Sequence, residues 1–130
     1  MVNGCVISSL LFNITSLYAF YLGKYDFMIV NIFIFVISLI NHKYECKNYH
    51  INIFDKCVGS LGYIYYVFVG LMVCSPIELF LIMNVVLQAY IISIKTYACN
   101  DGKDWKTFHM YFHLIANICA IIIIQRSVAI

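Results

Sequence analysis

The sequence predicts an all-α integral membrane protein, a helical bundle with about five transmembrane helices. Of its 130 residues, 64% are hydrophobic and only 11% are charged, whereas soluble domains are closer to half apolar and a quarter charged. The apolar residues also form long blocks separated by short polar segments, a pattern typical of helices that cross a bilayer. Because no internal repeat or linker is found, residues 1–130 are expected to form a single transmembrane domain.

The charge and the cysteines argue against two other classes of protein. A net charge of +2 without a run of basic residues does not indicate nucleic-acid binding. None of the six cysteines forms a C-x-x-C pair. The sequence therefore indicates neither a disulfide framework nor a zinc site built from cysteine.

The first two predicted spans cover residues 4–22 and 27–42. The first has no Lys or Arg ahead of it and is long for a signal peptide, so it is interpreted as a retained helix that stops at Gly23-Lys24. The second is short for a spanning helix, which needs roughly 20 residues. Tyr25, Asn41 and Tyr44 at its ends are expected to extend it into the membrane interface.

The next two predicted spans cover residues 51–74 and 76–94. The fourth span begins with Ser75-Pro76-Ile77-Glu78, in which Ser75 is a good N-cap and Glu78 completes a capping box. Glu78 is therefore interpreted as a cap rather than as a catalytic acid. Three tyrosines of the third span either line a pocket or pack against other helices: Tyr63, Tyr65 and Tyr66.

The fifth predicted span covers residues 107–125 and contains two of the four histidines. A turn at Asn100-Asp101-Gly102 precedes it, and Trp105 is expected at the membrane interface. His109 and His113 are one helical turn apart, so both imidazoles lie on the same face of the helix. Such a pair can bind one metal ion, as the two histidines of H-E-x-x-H do in zinc proteases.

The order of the spans places four polar residues on one side of the membrane. The second span ends, and the third begins, on the side that holds His42 and Asp55. The third span crosses away and the fourth returns, so the fifth begins on that same side, with His109 and His113 in its first two turns. Because all four residues reach one membrane depth, the sequence predicts a shared site.

The basic residues indicate which side of the membrane this is. The opposite side carries only Lys24 and Arg126, whereas the side of His42 carries six lysines: Lys43, Lys47, Lys56, Lys95, Lys103 and Lys106. Cytoplasmic segments are enriched in Lys and Arg. The histidines and the N-terminus are therefore predicted to be cytoplasmic.

Three histidines from two helices, with one coordination position left open, form the arrangement of a catalytic zinc site. The predicted ligands are His42, His109 and His113, and zinc would lower the pKa of a bound water to near neutrality. Asp55 is expected to accept a proton from that water or to orient it. Ser38, one turn before His42, is expected to donate a hydrogen bond to an oxyanion.

Other uses of the same residues are weighed against zinc. Histidine and serine in membrane helices often make interhelical hydrogen bonds only, but several ionisable groups at one depth are costly and favour a functional site. Haem ligation is less favoured, because haem usually takes its histidines from facing helices. His50 lies in a loop without a partner at helical spacing and is left out of the site.

The order of these residues resembles the signature of the CREST superfamily of membrane hydrolases, which includes the alkaline ceramidases and the progestin and adipoQ receptors. The resemblance covers the second, third and fifth spans. It is carried by Ser38-x-x-x-His42, by Phe54-Asp55-Lys56-Cys57-Val58-Gly59-Ser60 and by Phe108-His109-Met110-Tyr111-Phe112-His113.

The resemblance implies a zinc-dependent hydrolase of lipid amides or esters, such as ceramide. In that family three histidines hold zinc, and an Asp and a Ser flank the water on the metal. Carried over, His42, His109 and His113 would be the ligands, Asp55 would position or deprotonate the water, and Ser38 would stabilise the oxyanion.

This chain departs from the family in length. The family usually has seven spans, so by comparison with it two spans are missing between Asp55 and His109. Because this number is even, the fifth span still begins on the side of His42. Fewer helices make a smaller wall around a lipid, which leaves open whether one chain suffices or an oligomer forms. No acidic N-terminal segment resembling the calcium-binding one of alkaline ceramidases is found.

Two alternatives to an enzyme remain. The first is a non-enzymatic relative, such as a receptor, a fusion factor or a membrane-remodelling factor, with a structural or vestigial zinc site. The second is a multi-span protein without a metal site, which would place His42 far from the other two histidines.

Overall fold

The computed structural model describes residues 4–44, 46–99 and 104–129, and these residues form five helices and no strand. The helices are α1 (Gly4–Tyr21), α2 (Tyr25–Lys43), α3 (Tyr49–Val73), α4 (Pro76–Cys99) and α5 (Trp105–Val128). Each is long and apolar enough to cross a membrane. The predicted all-α membrane bundle is confirmed. The predicted turn at Asn100-Asp101-Gly102 and the charge of Lys103 lie outside the described residues.

Four helices extend beyond the ends predicted for them, α5 by two residues at its start and three at its end. α2 begins at Tyr25, with Asp26 in its first turn, where the helix dipole favours a carboxylate. α4 continues past Lys95 to Cys99. A lysine near the membrane interface does not have to end a helix, because its long side chain can carry the ammonium group to water.

Side chains cap the starts of α3 and α4. α3 begins two residues earlier than predicted because Asn48 accepts a hydrogen bond from the backbone N–H of Ile51. Ser75 caps α4 as predicted, accepting from the backbone N–H of Glu78 at 3.3 Å. The capping box also predicted that the Glu78 carboxylate would accept from the backbone N–H of Ser75. This part of the prediction is wrong, because Glu78 instead forms a salt bridge of 2.8 Å with Arg126 on α5.

The helices form a ring in which α1 lies between α2 and α5. α1 packs along both of these helices, α3 packs on α2, and α4 packs on α5. α3 also contacts α4 and α5, over shorter stretches. At one end of the bundle, Lys24 Nζ donates a hydrogen bond of 2.6 Å to the backbone carbonyl of Ser127. The turn between α1 and α2 therefore lies beside the end of α5, as the predicted topology requires.

The outer surface of the bundle is apolar. Large apolar side chains are more than half exposed on every helix, among them Leu17, Phe33, Leu61, Phe80 and Tyr111. On a soluble protein these side chains would form an extensive exposed patch. In a bilayer they face lipid, while the polar groups of the helices are satisfied inside the protein.

The interior of the bundle is divided into a polar part and an apolar part. The polar part lies at the end where α1, α3 and α5 begin, here called the histidine end. Its buried side chains are Ser8, Ser9, Ser38, Asn41, His42, Ser93 and His113. The apolar core lies toward the opposite end and includes Phe27, Val69, Leu79, Ile82, Ile123 and Ile124. Functional groups are expected where polar groups are buried at membrane depth.

Candidate metal centre

The side chains of His42, His109 and His113 converge at the histidine end. One ring nitrogen from each lies within 4.8 Å of the other two, and the Nε2 atoms of His42 and His109 are 3.1 Å apart. His42 and His113 are buried and His109 is half-buried. The three histidines come together as predicted and could hold a metal ion. A protein without a metal site was expected to place His42 far from the other two histidines, and the structure does not do so.

The second ring nitrogen of two of these histidines meets a serine from another helix. Nδ1 of His113 lies 2.9 Å from Ser8 Oγ on α1. Nδ1 of His109 lies 3.0 Å from Ser93 Oγ on α4. Partners of this kind fix the orientation and tautomer of metal-binding histidines.

The Ser8 hydroxyl links its own hydrogen-bond direction to the tautomer of His113. Ser8 Oγ lies 3.0 Å from the backbone carbonyl of Cys5 and can donate its only hydrogen there, because a carbonyl can only accept. When it does so, Ser8 Oγ can only accept from His113, and the proton of the neutral ring is on Nδ1. Nε2 of His113 then has a free lone pair, which is the form of the ring that binds metals.

Cys46 faces His42 from the loop between α2 and α3. Its sulfur lies 3.5 Å from Nδ1 of His42, and its backbone has a φ of 57°, in the left-handed region that residues other than glycine rarely adopt. Burial, followed by the charge of nearby Asp55, raises the pKa of the Cys46 thiol to about 11. The sulfur is therefore uncharged at neutral pH.

One pair of histidine nitrogens has the spacing expected in a tetrahedral metal site, and all three ligand nitrogens lie within 4.8 Å of one another. Zinc–nitrogen bonds of the usual length separate neighbouring nitrogens by roughly 3.3 Å in a tetrahedron, which is close to the 3.1 Å between Nε2 of His42 and Nε2 of His109. If both rings carry their proton on Nδ1, two lone pairs face each other across this gap, and a cation between them makes that arrangement favourable. Three nitrogens leave the fourth position open.

Aromatic rings enclose the three histidines. Trp105 stacks on His109, with ring centroids 5.0 Å apart and planes inclined by 28°. Phe12 on α1 contacts His113 edge-on at 5.2 Å. Trp105 is the first residue of α5, so it lies where an interfacial aromatic residue is expected, and it also covers the histidines.

Asp55 lies beside the histidines, on α3. Its Oδ2 accepts a hydrogen bond of 2.8 Å from Nδ2 of Asn41, the residue before His42, and all three side chains line one cavity. Oδ1 of Asn41 is buried and accepts no hydrogen bond from the described residues. Asn41 therefore positions the carboxylate and also carries an unused acceptor that is buried beside the cavity.

Ser38 lines the same cavity, and its hydroxyl also contacts Ser9. Ser38 Oγ lies 3.2 Å from Ser9 Oγ, and either oxygen can be the donor. When Ser9 donates its own hydrogen to the backbone carbonyl of Cys5 at 2.8 Å, it can only accept from Ser38. In that arrangement the predicted role of Ser38 toward an oxyanion requires its hydroxyl to rotate toward the cavity.

The cavity that these groups share has a volume of about 480 Å³ and lies between α2, α3, α4 and α5. This volume is within the roughly 300–1,000 Å³ of small-molecule sites. Away from the histidine end its wall is mostly apolar, with Ile34, Met83, Val86, Ala116 and Ile123. Of the three tyrosines considered from the sequence, Tyr63 and Tyr66 line the cavity, whereas Tyr65 donates a hydrogen bond to Asp26.

Sequence reasoning did not identify four polar residues that complete the site: Ser8, Ser9, Asn41 and Ser93. A signal for them exists, because each lies within two turns of a predicted span end on the side of His42. Serine and asparagine are nevertheless common in membrane helices, where they bond to other helices. Only their contacts with the histidines, Asp55 and Ser38 in the structure distinguish these four residues from the other polar residues of the helices.

The chain was compared with family models, with curated proteins and with solved structures. No family model, no curated protein and no solved structure matches it. Membership of the CREST superfamily therefore stays a prediction from the residues that carry the resemblance.

If the three histidines hold zinc, replacing Ser8 with Ala is expected to weaken its binding by roughly 10- to 100-fold. Nδ1 of His113 then loses its hydrogen-bond partner, so the ring is free to turn and to exchange tautomers. Competition with a chromogenic chelator measures the affinity. The matched control is Ser16→Ala, because Ser16 is buried on the same helix but bonds to the carbonyl of Met28. Equal affinities of the parent and Ser8→Ala proteins would contradict this role of Ser8.

Proposed function

We propose that this protein is a zinc-dependent intramembrane hydrolase of lipid amide or ester bonds. The proposal is carried by one observation: three converging histidines, Asp55 and Ser38 lie around one end of a single cavity. A metal-ligand set, a potential base and a hydroxyl at one end of a largely apolar cavity are the parts that such a hydrolase needs.

Zinc is the ion that the donor set favours. Three imidazoles with an open position match catalytic zinc sites, whereas calcium and magnesium prefer oxygen ligands. When bound, zinc supplies a water molecule that is activated as a nucleophile near neutral pH. His42, His109 and His113 would hold the ion, with Ser8 and Ser93 fixing two of the rings.

Asp55 is the proposed proton acceptor. The Asn41 amide holds one of its oxygens at 2.8 Å and leaves the second for proton exchange. From this position the carboxylate takes a proton from the attacking water and returns it to the leaving amine or alcohol. Ser38, with its hydroxyl turned away from Ser9, donates a hydrogen bond to the oxygen that gains charge.

The apolar part of the cavity supports a lipid substrate. One face of α2 lines it from Asn41 through Ser38 and Ile34 to Asn31, so the cavity follows this helix over several turns. The buried Oδ1 of Asn41 is an acceptor near the histidines. It favours an amide over an ester, because only an amide brings an N–H that satisfies it. The residue order that resembles the CREST superfamily supports the same substrate class.

Hydrolysis of ceramide, and of an ester with the same acyl chain, tests this proposal. The purified full chain in mixed micelles is expected to release fatty acid, to stop when a zinc chelator is added and to resume when zinc is returned. A fully metallated protein that releases no fatty acid from either lipid would contradict the proposal and favour a non-enzymatic role.

The arrangement of the site gives that non-enzymatic role its own support. The predicted ligands lie on α2 and α5, and their outer partners lie on α1, on α4 and in the loop after α2. A metal ion there would connect four of the five helices and could serve as a structural staple. Zinc that stabilises the fold while every lipid tested stays intact would favour this second candidate.

The orientation of the bundle is also part of the proposal. With the excess of lysines on the cytoplasmic side, the N-terminus and the histidine end face the cytosol, and the C-terminus faces away from it. Fusing a reporter enzyme that is active only in the cytosol to each terminus should give activity at the N-terminus alone. Activity of the C-terminal fusion would contradict the orientation or the five spans.

A further inference from the structure

Two polar side chains interrupt the apolar wall of the cavity far from the histidines. Asn31 on α2 and Tyr66 on α3 both line the cavity, and they are only 1% and 7% exposed. Their neighbours in the wall include Met83, Ala120 and Ile123. Polar groups buried at this depth are costly and for that reason are candidates for a function.

Hydrogen bonds fix the orientation of the Asn31 amide. Its Nδ2 donates to the backbone carbonyl of Phe27 at 2.7 Å and to the Tyr66 hydroxyl oxygen at 2.6 Å. A backbone carbonyl only accepts, so turning the amide around would set two acceptors against each other. The remaining atom, Oδ1, is buried and accepts no hydrogen bond within the described part of the chain.

The Tyr66 hydroxyl provides the complementary group. Its oxygen accepts from Asn31, so its own hydrogen must point elsewhere, and the described residues give it no acceptor. An acceptor and a donor, neither with a partner among the described residues, therefore lie side by side on two residues that line the cavity. Because Asn31 Oδ1 has less than 1 Å² of accessible surface, a ligand reaches it only after the Asn31 side chain turns slightly toward the cavity. A hydroxyl group can satisfy both at once, whereas a carbonyl only accepts and an amide N–H only donates.

The position of this pair along the bundle matches the length of a lipid chain. Asn31 precedes His42 by 11 residues on α2, and Tyr66 follows Asp55 by 11 residues on α3. With a rise of 1.5 Å per residue in an α-helix, each separation is about 16 Å. Because α2 and α3 run in opposite directions, Asn31 and Tyr66 therefore lie at the same distance from the histidine end. Half of the hydrocarbon core, the depth of one leaflet, is also about 15 Å.

We propose that Asn31 and Tyr66 form a recognition site for a hydroxyl group on the acyl chain of a bound lipid. The inference rests on the proposed function for placing the lipid head at the histidines, but it does not require hydrolysis. An acyl chain without a hydroxyl would leave the Asn31 carbonyl and the Tyr66 hydroxyl unsatisfied. Sites built to hydrogen-bond a hydroxyl discriminate against analogues that lack it for this reason.

Binding of ricinoleate and oleate by the zinc-loaded full chain tests the inference. The two fatty acids differ by one hydroxyl in the distal half of the chain, and neither has an amide or ester bond to hydrolyse. Thermal-shift titration in detergent gives an affinity for each. The parent protein is expected to bind ricinoleate about tenfold more tightly than oleate, which corresponds to one or two added hydrogen bonds.

Two variants and a matched control locate the preference. Tyr66→Phe removes only the hydroxyl, and Asn31→Leu removes the amide at similar volume. Each is expected to bring the affinity ratio close to one without weakening oleate binding. Tyr63→Phe is the control, because Tyr63 lines the same cavity but its hydroxyl donates to the carbonyl of Met83 at 3.4 Å. This variant should keep the ratio of the parent.

The inference is overturned if the parent binds both fatty acids equally or binds neither. It is also overturned if the preference persists in Tyr66→Phe, the milder of the two changes. These outcomes are independent of turnover. Preference for ricinoleate without hydrolysis of any lipid would support the hydroxyl site and contradict the enzyme proposal. Hydrolysis without any preference would support the enzyme proposal and contradict the hydroxyl site.

Discussion

An Asp55→Asn protein is expected to keep its zinc and to lose turnover by roughly 10²- to 10⁴-fold. The new amide cannot take a proton from water. It does keep a carbonyl oxygen for the hydrogen bond that Asn41 donates to Asp55 in the parent, so the local packing should change little. Metal content and fatty-acid release, measured on the same preparation, separate the loss of a base from the loss of the metal.

Asp26→Asn is the matched control for this experiment. Asp26 is a carboxylate near the start of α2, where it accepts a hydrogen bond from Tyr65, at the end of the bundle away from the histidines. Its replacement should leave turnover close to that of the parent. An Asp55→Asn protein that hydrolyses lipid at the parental rate would rule out Asp55 as the base.

His109→Ala is expected to abolish stabilisation of the fold by zinc. In the parent, zinc at about 100 times its Kd should add about 2.7 kcal/mol to the free energy of unfolding. His109→Ala removes the nitrogen that lies 3.1 Å from Nε2 of His42 and leaves two ligands. Thermal unfolding with and without added zinc measures the difference, which should be close to zero in the variant.

His50→Ala controls for the loss of any histidine. His50 was predicted to lie in a loop, but it is exposed in the first turn of α3. It belongs to no group of potential metal ligands in the described chain. Its replacement should leave the zinc-dependent stabilisation unchanged. If His109→Ala and His50→Ala respond to zinc equally, the assignment of His109 as a ligand is wrong.

Much of the fold follows from composition and chain order. Five apolar blocks predicted five helices, and the alternation of direction predicted that the end of α2 and the starts of α3 and α5 would meet. The helix ends were less predictable, because they depend on single side chains. Asn48 starts α3 by capping it, and α4 extends past Lys95 because a long ammonium side chain is compatible with a helix at the interface.

The candidate site was only partly predictable from the sequence. The spacing of His109 and His113 and the topology of His42 were sufficient to predict the convergence of the three rings. The outer partners were not predictable, because Ser8 and Ser93 come from helices that carry no predicted ligand and their roles depend on packing. The direction of the Ser38 hydroxyl depends in turn on where Ser9 donates its hydrogen, which no sequence pattern encodes.

Zinc binding by three histidines is tested most directly by X-ray absorption at the zinc edge on the purified full chain. One zinc per chain is expected, with three imidazole nitrogens at about 2.0–2.1 Å and a light atom in the fourth position. A sulfur neighbour at about 2.3 Å would show that a cysteine is a ligand and would contradict the three-histidine site. Cys46, whose sulfur lies 3.5 Å from Nδ1 of His42, would then be the first cysteine to replace. A chain that retains no zinc would contradict the metal centre itself.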